Sequence, residues 1–502
     1  MQHNSPFSEA RQLATSGKLK IEWSDRLAHT PTQIPEHLDL ADKIDGMILG
    51  LAIGDALGNT TESRNPTDRR RAFGWIDGYL PNPHAGGLRV GLPSDDTQMT
   101  ARTIEQLLEV GRLDPHLLGN LFCADRIFGL GSSVREFIGR YKSGAPWFLA
   151  GANSAGNGAL MRIAPVVLPY LRAPNCDMWA DALMAGHLTH NDWLSNSSCV
   201  ALVHVLWQLL GRTVPPESDW WISEWSTIAQ EVSPDSCYAS RNDHPPGFNG
   251  TISGLLSEYV LPALERDLPV DEACDIWHSG AYLLETVPSV LYILARHGDD
   301  PRTALLEAVN NTRDNDTIGA IVGAAVGALH GASALPAEWV SNLLGRTRAN
   351  DDHHLFGLLE QSAERFGYRP RLPTVERARM ARPESPSRIA IDLASGQPLK
   401  LGARGYWIKI VGFMVHTWAV IQVDEVTGSR IVWFFDDLAK VFDVMVFSTT
   451  KDAERGLRRN GFEPFDSRRH GSIESPIASE GAHHFQWRPR RIYSSGLYWI
   501  NG

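Results

Sequence analysis

The chain is expected to be mainly α-helical, with an all-α core over residues 41–367 and a smaller C-terminal α+β domain over 389–502. Three observations lead there. The long middle of the chain spaces apolar residues at helical intervals and closes the runs with glycine, as in "TARTIEQLLEVG", "NSSCVALVHVLWQLLG" and "VPSVLYILARHG". After about residue 388 the rhythm changes to short β-branched and aromatic runs, "YWIKIVGFM", "HTWAVIQVDE", "SRIVWFFDD" and "DVMVFST", separated by turn signals. Between the two lies a stretch rich in proline and charge, 368–388, which reads as a linker.

Composition limits the function classes. With 502 residues, 43% hydrophobic and 21% charged, the chain can bury two or three cores. A net charge of −11 argues against a general nucleic-acid binder or a membrane-surface protein. The five cysteines, Cys123, Cys176, Cys199, Cys237 and Cys274, form no CxxC pair and read as reduced core residues of a cytoplasmic protein. The N-terminus has no apolar signal core. "IGAIVGAAVGALHGASAL", 318–335, is apolar enough to suggest a membrane span. It follows two aspartates and has no aromatic belt, so a buried helix is expected.

Taken in chain order, residues 1–40 are polar and weakly periodic, an extension ahead of the core. "GMILGLAIGDALG" then places glycines at 46, 50, 54 and 58, and a late helix places them at 319, 323, 327 and 331. Glycine every fourth residue costs on the order of 1 kcal/mol each in helix propensity but lets a neighbouring backbone approach closely. Both helices are therefore expected to be central and tightly packed, bringing Asp55 and Glu62 towards the late acids. "PSDDT" supplies Ser94, Asp95, Asp96 and Thr97, and "DNDT" supplies Asp314, Asp316 and Thr317. Each cluster alone reads more readily as an N-cap with first-turn acids that suit the helix dipole. Together they suggest a metal site. One like-charge pair at 4 Å costs about 4 kcal/mol at an effective dielectric of 20, so converging four carboxylates calls for a cation. All-oxygen ligands favour Mg²⁺, Mn²⁺ or Ca²⁺ over zinc. "GANSAGNGALMRIAP" reads as a glycine-rich loop entering a helix, able to cradle phosphate oxygens, or as a plain turn. His190, in "GHLTHND", alone reads more readily as a structural histidine than as a ligand contact.

In this order the motifs "GDALGNTTE", "SDDTQMT", "NGALMRIAP", "LTHND" and "DNDTIGAIVGAAVGALHG" resemble the ADP-ribosylglycohydrolase family over about residues 41–365. The resemblance implies an all-α fold with a binuclear Mg²⁺ centre, Mn²⁺ being an alternative, held by Ser94, Asp95, Asp96, Asp314, Asp316 and Thr317. It implies that Asn157, Gly158, Arg162 and His190 contact ADP-ribose. It also implies that Asp96 or Glu62 acts as general base or assists the leaving group. One departure is visible: Thr312, Arg313, Asp314 and Asn315 stand where the late motif usually opens with glycines. The expected activity is removal of ADP-ribose from arginine of a modified protein, with O-linked or free small-molecule substrates as variants. Some members with a segment ahead of the core are immunity proteins against ADP-ribosyltransferase toxins. A binding-type role for the extension or the C-terminal domain is therefore the competing expectation. No role is read for the C-terminal domain, whose ending "FQWRPRRIYSSGLYWING" mixes arginine and aromatic residues.

Overall fold

The computed structural model describes residues 5–241, 243–349, 351–368, 405–412, 415–423, 428–435 and 441–466. The chain divides into two compact units, Met1–Pro370 and Arg371–Gly502.

At the centre of the first unit two glycine-striped helices, Leu40–Asn59 and Asn315–His330, cross in antiparallel register. A Cβ built on Gly46 would fall 2.5 Å from Gly327 O, one on Gly50 2.1 Å from Gly323 O, one on Gly54 2.0 Å from Gly319 O, and one on Gly58 2.4 Å from Asp316 N. Only glycine permits this approach, and the close contact recovers dispersion energy that offsets its poor helix propensity. The pairing sets the end of the early helix, with Asp55, against the start of the late one, with Asp316. The 318–335 stretch lies mostly in that buried helix, and among the described residues no helix is long and apolar enough to cross a membrane.

The helices Trp193–Leu210, Leu283–His297 and Pro301–Asn311 pack around the late helix. The three glycine-closed runs fall on helices, and Gly111 adopts φ +83° at its C-cap. Residues 5–40, expected as an extension, belong to the same unit. Ala10, Leu13, Leu19, Ile21, Leu27 and Ile34 are buried in its core. Trp179 and Trp207 donate their indole N–H groups to His29 O and Thr32 O. The unit is not helical throughout. The proline- and glycine-rich stretch "NDHPPGFNG" supplies the strand His244–Gly250, which pairs antiparallel with Tyr238–Arg241. A strand of a two-stranded hairpin tolerates its prolines because one edge needs no ladder donor. Cys199 and Cys274 are buried, whereas Cys237 is exposed, so the core reading of the cysteines does not extend to all five.

The second unit holds a five-stranded antiparallel sheet ordered Val441–Phe447, Arg430–Phe435, Val415–Val423, Tyr406–Gly412 and Glu463–Pro464. Alternate residues serve opposite faces, as the period-2 pattern requires. Trp407, Ala419, Val432 and Phe434 pack with Ala453 and Leu457 of the helix Thr450–Arg459. Tyr406, Ile408, Trp418, Val420, Trp433 and Phe435 form a separate buried cluster. Except for Tyr368, the 368–388 linker lies outside the described residues, as does the terminal stretch 485–502.

Candidate metal centre and ligand loops

Ser94 occupies the N-cap position of the helix Asp95–Val110, yet its side chain makes no capping bond. It turns to Asp55 instead. Ser94 donates from its backbone N (2.9 Å) and its Oγ (2.7 Å) to Asp55 Oδ1. Thr97 donates from N (3.1 Å) and Oγ1 (2.6 Å) to Asp55 Oδ2. The fully buried Asp55 carboxylate therefore grips the turn on both sides of Asp95 and Asp96. The late cluster repeats the pattern. Asp314 is an N-cap without a capping bond, and its Oδ2 accepts from Asn157 Nδ2 at 2.6 Å. Thr317 donates its backbone N–H to Asp316 Oδ1 at 2.9 Å.

The two clusters converge. Carboxylate oxygens of Asp55, Asp96 and Asp316 lie within 4.8 Å of one another, as do those of Glu62, Asp314 and Asp316. Asp316 belongs to both groups. Asp95 joins them electrostatically: burial and Asp55 raise its carboxyl to about 7, with Glu62 and Asp314 adding to the rise. Burial likewise raises Asp96, Asp316 and Glu62, and neighbouring carboxylates push each higher. Asp96 Oδ1 is buried with no hydrogen-bond partner. An orphaned carboxylate oxygen inside a crowded all-oxygen set is the donor chemistry of a hard divalent cation, so the residues present fit such an ion. Glu62 differs from the rest in being exposed, at the lip of the cluster. Over Asp95 passes a loop made possible by Gly129, whose φ is +91° and where a Cβ would sit 2.5 Å from Asp95 Oδ1. A cavity of about 630 Å³ lined by Asn65, Arg70, Arg71, Asp275 and Arg313 adjoins Asp314 through its neighbour Arg313, but none of the clustered carboxylates lines it.

Two supports are not evident in the sequence motifs. One is Asp55 as the clamp of the Ser94–Thr97 turn. The other is Arg69, from "DRRRAF", which is fully buried. Its Nε donates to Thr61 Oγ1 (3.0 Å), its Nη2 to Arg64 O (2.9 Å) and its Nη1 to Thr312 O (2.7 Å). It thus ties the loop carrying Glu62 to the segment leading into Asp314. Burial lowers this guanidinium to about 10, opposed by the attraction of Asp316.

The ligand loops lie against the cluster. Ala152 N donates to Thr189 O (3.0 Å) and Asn191 N to Ala152 O (2.8 Å), pairing the glycine-rich loop with the His190 turn. Asn157 N donates to Ala281 O at 3.0 Å, and its side chain reaches Thr286 Oγ1 as well as Asp314. A Cβ on Gly158 would stand 2.9 Å from His190 Cε1, so the loop needs glycine to lie on that ring. Burial, then Arg162, lowers His190 to about 3, which keeps the imidazole neutral near pH 7. Two expectations change here. Arg162 does not face outward. It is fully buried, its Nη2 donating to Ala185 O (2.9 Å) and Thr189 Oγ1 (2.7 Å), its guanidinium 4.9 Å from the Phe122 ring. It braces the His190 turn from behind. The loop also enters 3₁₀ turns, Leu160–Arg162 and Ala164–Tyr170, rather than an α-helix. Pro165 and Pro169 lack the amide donors that a continuing helix would need.

Comparison with known proteins agrees with this arrangement. Residues 36–369 match the family model for ADP-ribosylglycohydrolase. The chain is 27% identical over 310 residues to ADP-ribosyl-[dinitrogen reductase] glycohydrolase of Rhodospirillum rubrum, covering 60% of this chain and 90% of that protein. It is 27% identical over 357 residues to ADP-ribosylarginine hydrolase Tri1 of Serratia proteamaculans, covering 68% and 85%. It is 25% identical over 335 residues to ADP-ribosylhydrolase ARH3 of Xenopus tropicalis, covering 61% and 92%. A solved structure described as an ADP-ribosylglycohydrolase-related protein complex superposes with a TM-score of 0.50 at 25% identity, over 66% of this chain and 99% of that one. With its helical core, its two converging acid clusters and a family match over most of the first unit, this chain belongs to the ADP-ribosylglycohydrolase family.

Proposed function

We propose that the protein is a Mg²⁺-dependent hydrolase that removes ADP-ribose from modified arginine side chains of proteins. The observation that carries this reading is the pair of carboxylate groups overlapping at Asp316, placed beside the Asn157–Gly158 loop and His190. Ser94, Asp95, Asp96, Asp314, Asp316 and Thr317 would hold two cations, Mg²⁺ or Mn²⁺. Bound there, the ions would orient ribose hydroxyls and offset charge developing at the sugar.

The chain's own groups divide the remaining work. Asp96, wholly buried, suits a ligand role and lacks access to solvent. Glu62, at the lip, can reach both the sugar and an attacking water. Hydrolysis breaks the bond between ribose C1″ and the guanidinium nitrogen. Water supplies OH to C1″, Glu62 takes the water's proton, and the leaving guanidine gains a proton in return. The loop at Asn157 and Gly158 offers backbone and amide donors to the diphosphate, and the neutral His190 ring offers a face to the nucleoside. Relatives named as arginine-directed hydrolases support the arginine linkage over O-linked or free ADP-ribosyl substrates.

Incubation of the full chain with arginine-ADP-ribosylated protein, with Mg²⁺ and with chelator, tests the reading. Mg²⁺-dependent release of ADP-ribose, followed by mass spectrometry, is expected. No release at saturating Mg²⁺, or faster release from serine-linked substrate, overturns it. Reversal of a transferase toxin's modification would be one setting for this activity. The competing reading, in which the chain protects by binding a toxin, predicts undiminished protection by an Asp96→Ala, Asp316→Ala double variant.

A further inference from the structure

Hydrogen bonds from Lys18 and Lys20 reach both ligand loops. The Asn191 side chain accepts from Lys20 N (3.3 Å) and donates to Lys18 O (2.8 Å), joining this segment as an extra ladder rung would. Asn196 Nδ2 donates to Lys20 O at 3.0 Å. Lys20 Nζ crosses to the glycine-rich loop and donates to Asn153 Oδ1 at 2.6 Å. Lys18 Nζ stands 5.0 Å from the Phe148 ring, on the short helix that leads into that loop. Leu19 and Ile21, at 1% and 3% exposure, anchor the segment in the core between these polar contacts. Asn153 and Asn191 flank the point where the loop pairs with the His190 turn through Ala152. This segment precedes the family-matched region, which begins at residue 36.

We propose that residues 18–20 form a built-in strap that sets the spacing of the glycine-rich loop and the His190 turn, with Lys20 as its positioning residue. Lys20 spans both loops by itself: its backbone N–H binds Asn191 and its ammonium binds Asn153. Without it, the loops keep the Ala152 bridge and the buried Arg162–Thr189 bond but lose the tie at Asn153 and Asn191. The consequence for affinity rests on the reading that these loops hold ADP-ribose. The consequence for loop order does not.

The test uses full-length protein carrying Lys20→Met, Lys20→Arg or Asn191→Ala. Amide hydrogen exchange is followed without ligand, ADP-ribose affinity by calorimetry with Mg²⁺, and melting temperature for each. Lys20→Met and Asn191→Ala are expected to speed exchange at 151–158 and 186–192 by roughly tenfold and leave the rest of the unit unchanged, as loss of a hydrogen-bonded tie predicts. ADP-ribose binding should weaken about fivefold in both, and Lys20→Arg should behave as wild type. Unchanged exchange at both loops overturns the strap. So does a uniform rise across the unit with a falling melting temperature, which would mark an ordinary core contact. If wild-type protein binds no ADP-ribose while the local exchange result holds, the strap stands and the ligand reading falls.

Discussion

Gly50 and Gly323 meet backbone to backbone, so closely that a Cβ on Gly50 would lie 2.1 Å from the Gly323 carbonyl oxygen. Gly50→Ala must therefore push the two central helices apart. It is expected to destabilise the first unit by at least ~3 kcal/mol, beyond the usual overpacking range because backbone blocks relaxation. Gly139→Ala is the contrast. That glycine lies within the helix Ser132–Lys142 with nothing within 4 Å of its Cβ position, so the change should stabilise by about 0.5–1 kcal/mol. Chemical denaturation of both variants checks the pair.

Asp55→Asn keeps the volume but replaces one acceptor oxygen with a donor, facing hydroxyl and amide groups that already donate to it. The Ser94–Thr97 turn should loosen. The Mg²⁺ concentration for half-maximal activity should rise about tenfold, the cost of a lost outer support in a metal site. A Mg²⁺ titration, with circular dichroism to verify the fold, measures this. An unchanged titration would assign Asp55 a purely packing role.

Glu62 and Asp316 should fail differently. Glu62→Gln is expected to lower kcat by about 10²–10⁴-fold, as loss of a general base does, while Mn²⁺ still binds. Asp316→Asn should abolish Mn²⁺ binding, since that carboxylate belongs to both acid groups. Electron paramagnetic resonance reads the ion independently of turnover.

A remote acid controls stability at low pH. Burial alone would raise Glu105, but the bidentate Arg348 contact (2.6 and 2.7 Å) and His354 (2.8 Å) outweigh it and hold its carboxyl at about 2. The unfolded carboxyl titrates near 4.3. The folded state therefore gains stability above that pH, on the order of 2 kcal/mol, and loses it as pH falls from about 4.5 towards 2. Glu105→Gln should be less stable than wild type at pH 7, and the gap should close across that window in urea melts.

Much of this site was legible because its parts recur at fixed spacing. Glycines at every fourth residue in two helices announced a close crossing, and the paired acids announced that the two carboxylate clusters converge. The periodic runs placed Gly111, Gly211 and Gly298 at helix ends before any coordinates were needed. Arg69 was not legible, because nothing in a run of three adjacent arginines marks one of them as buried. Only the tertiary fold turns the first of these arginines inward, where Thr61 Oγ1, Arg64 O and Thr312 O are among its acceptors. Arg162, expected as a ligand contact, lies buried behind the His190 turn with its Nη2 on Ala185 O and Thr189 Oγ1, a placement that no spacing in the sequence signals. The first forty residues read as an extension because their apolar residues are widely spaced, although seven of them, Leu40 included, reach the core.

Asp55 and Asp316 touch within one site but stand 261 positions apart in the chain. The glycine crossing that joins them forms only when the late helix arrives. A growing polypeptide therefore carries one half of its acid site, inert, until nearly the whole first unit has been synthesised. A fragment ending before residue 314 lacks both Asp314 and Asp316 and is expected to show no activity. On the proposed function, hydrolysis would report a complete domain, and truncated copies would contribute none.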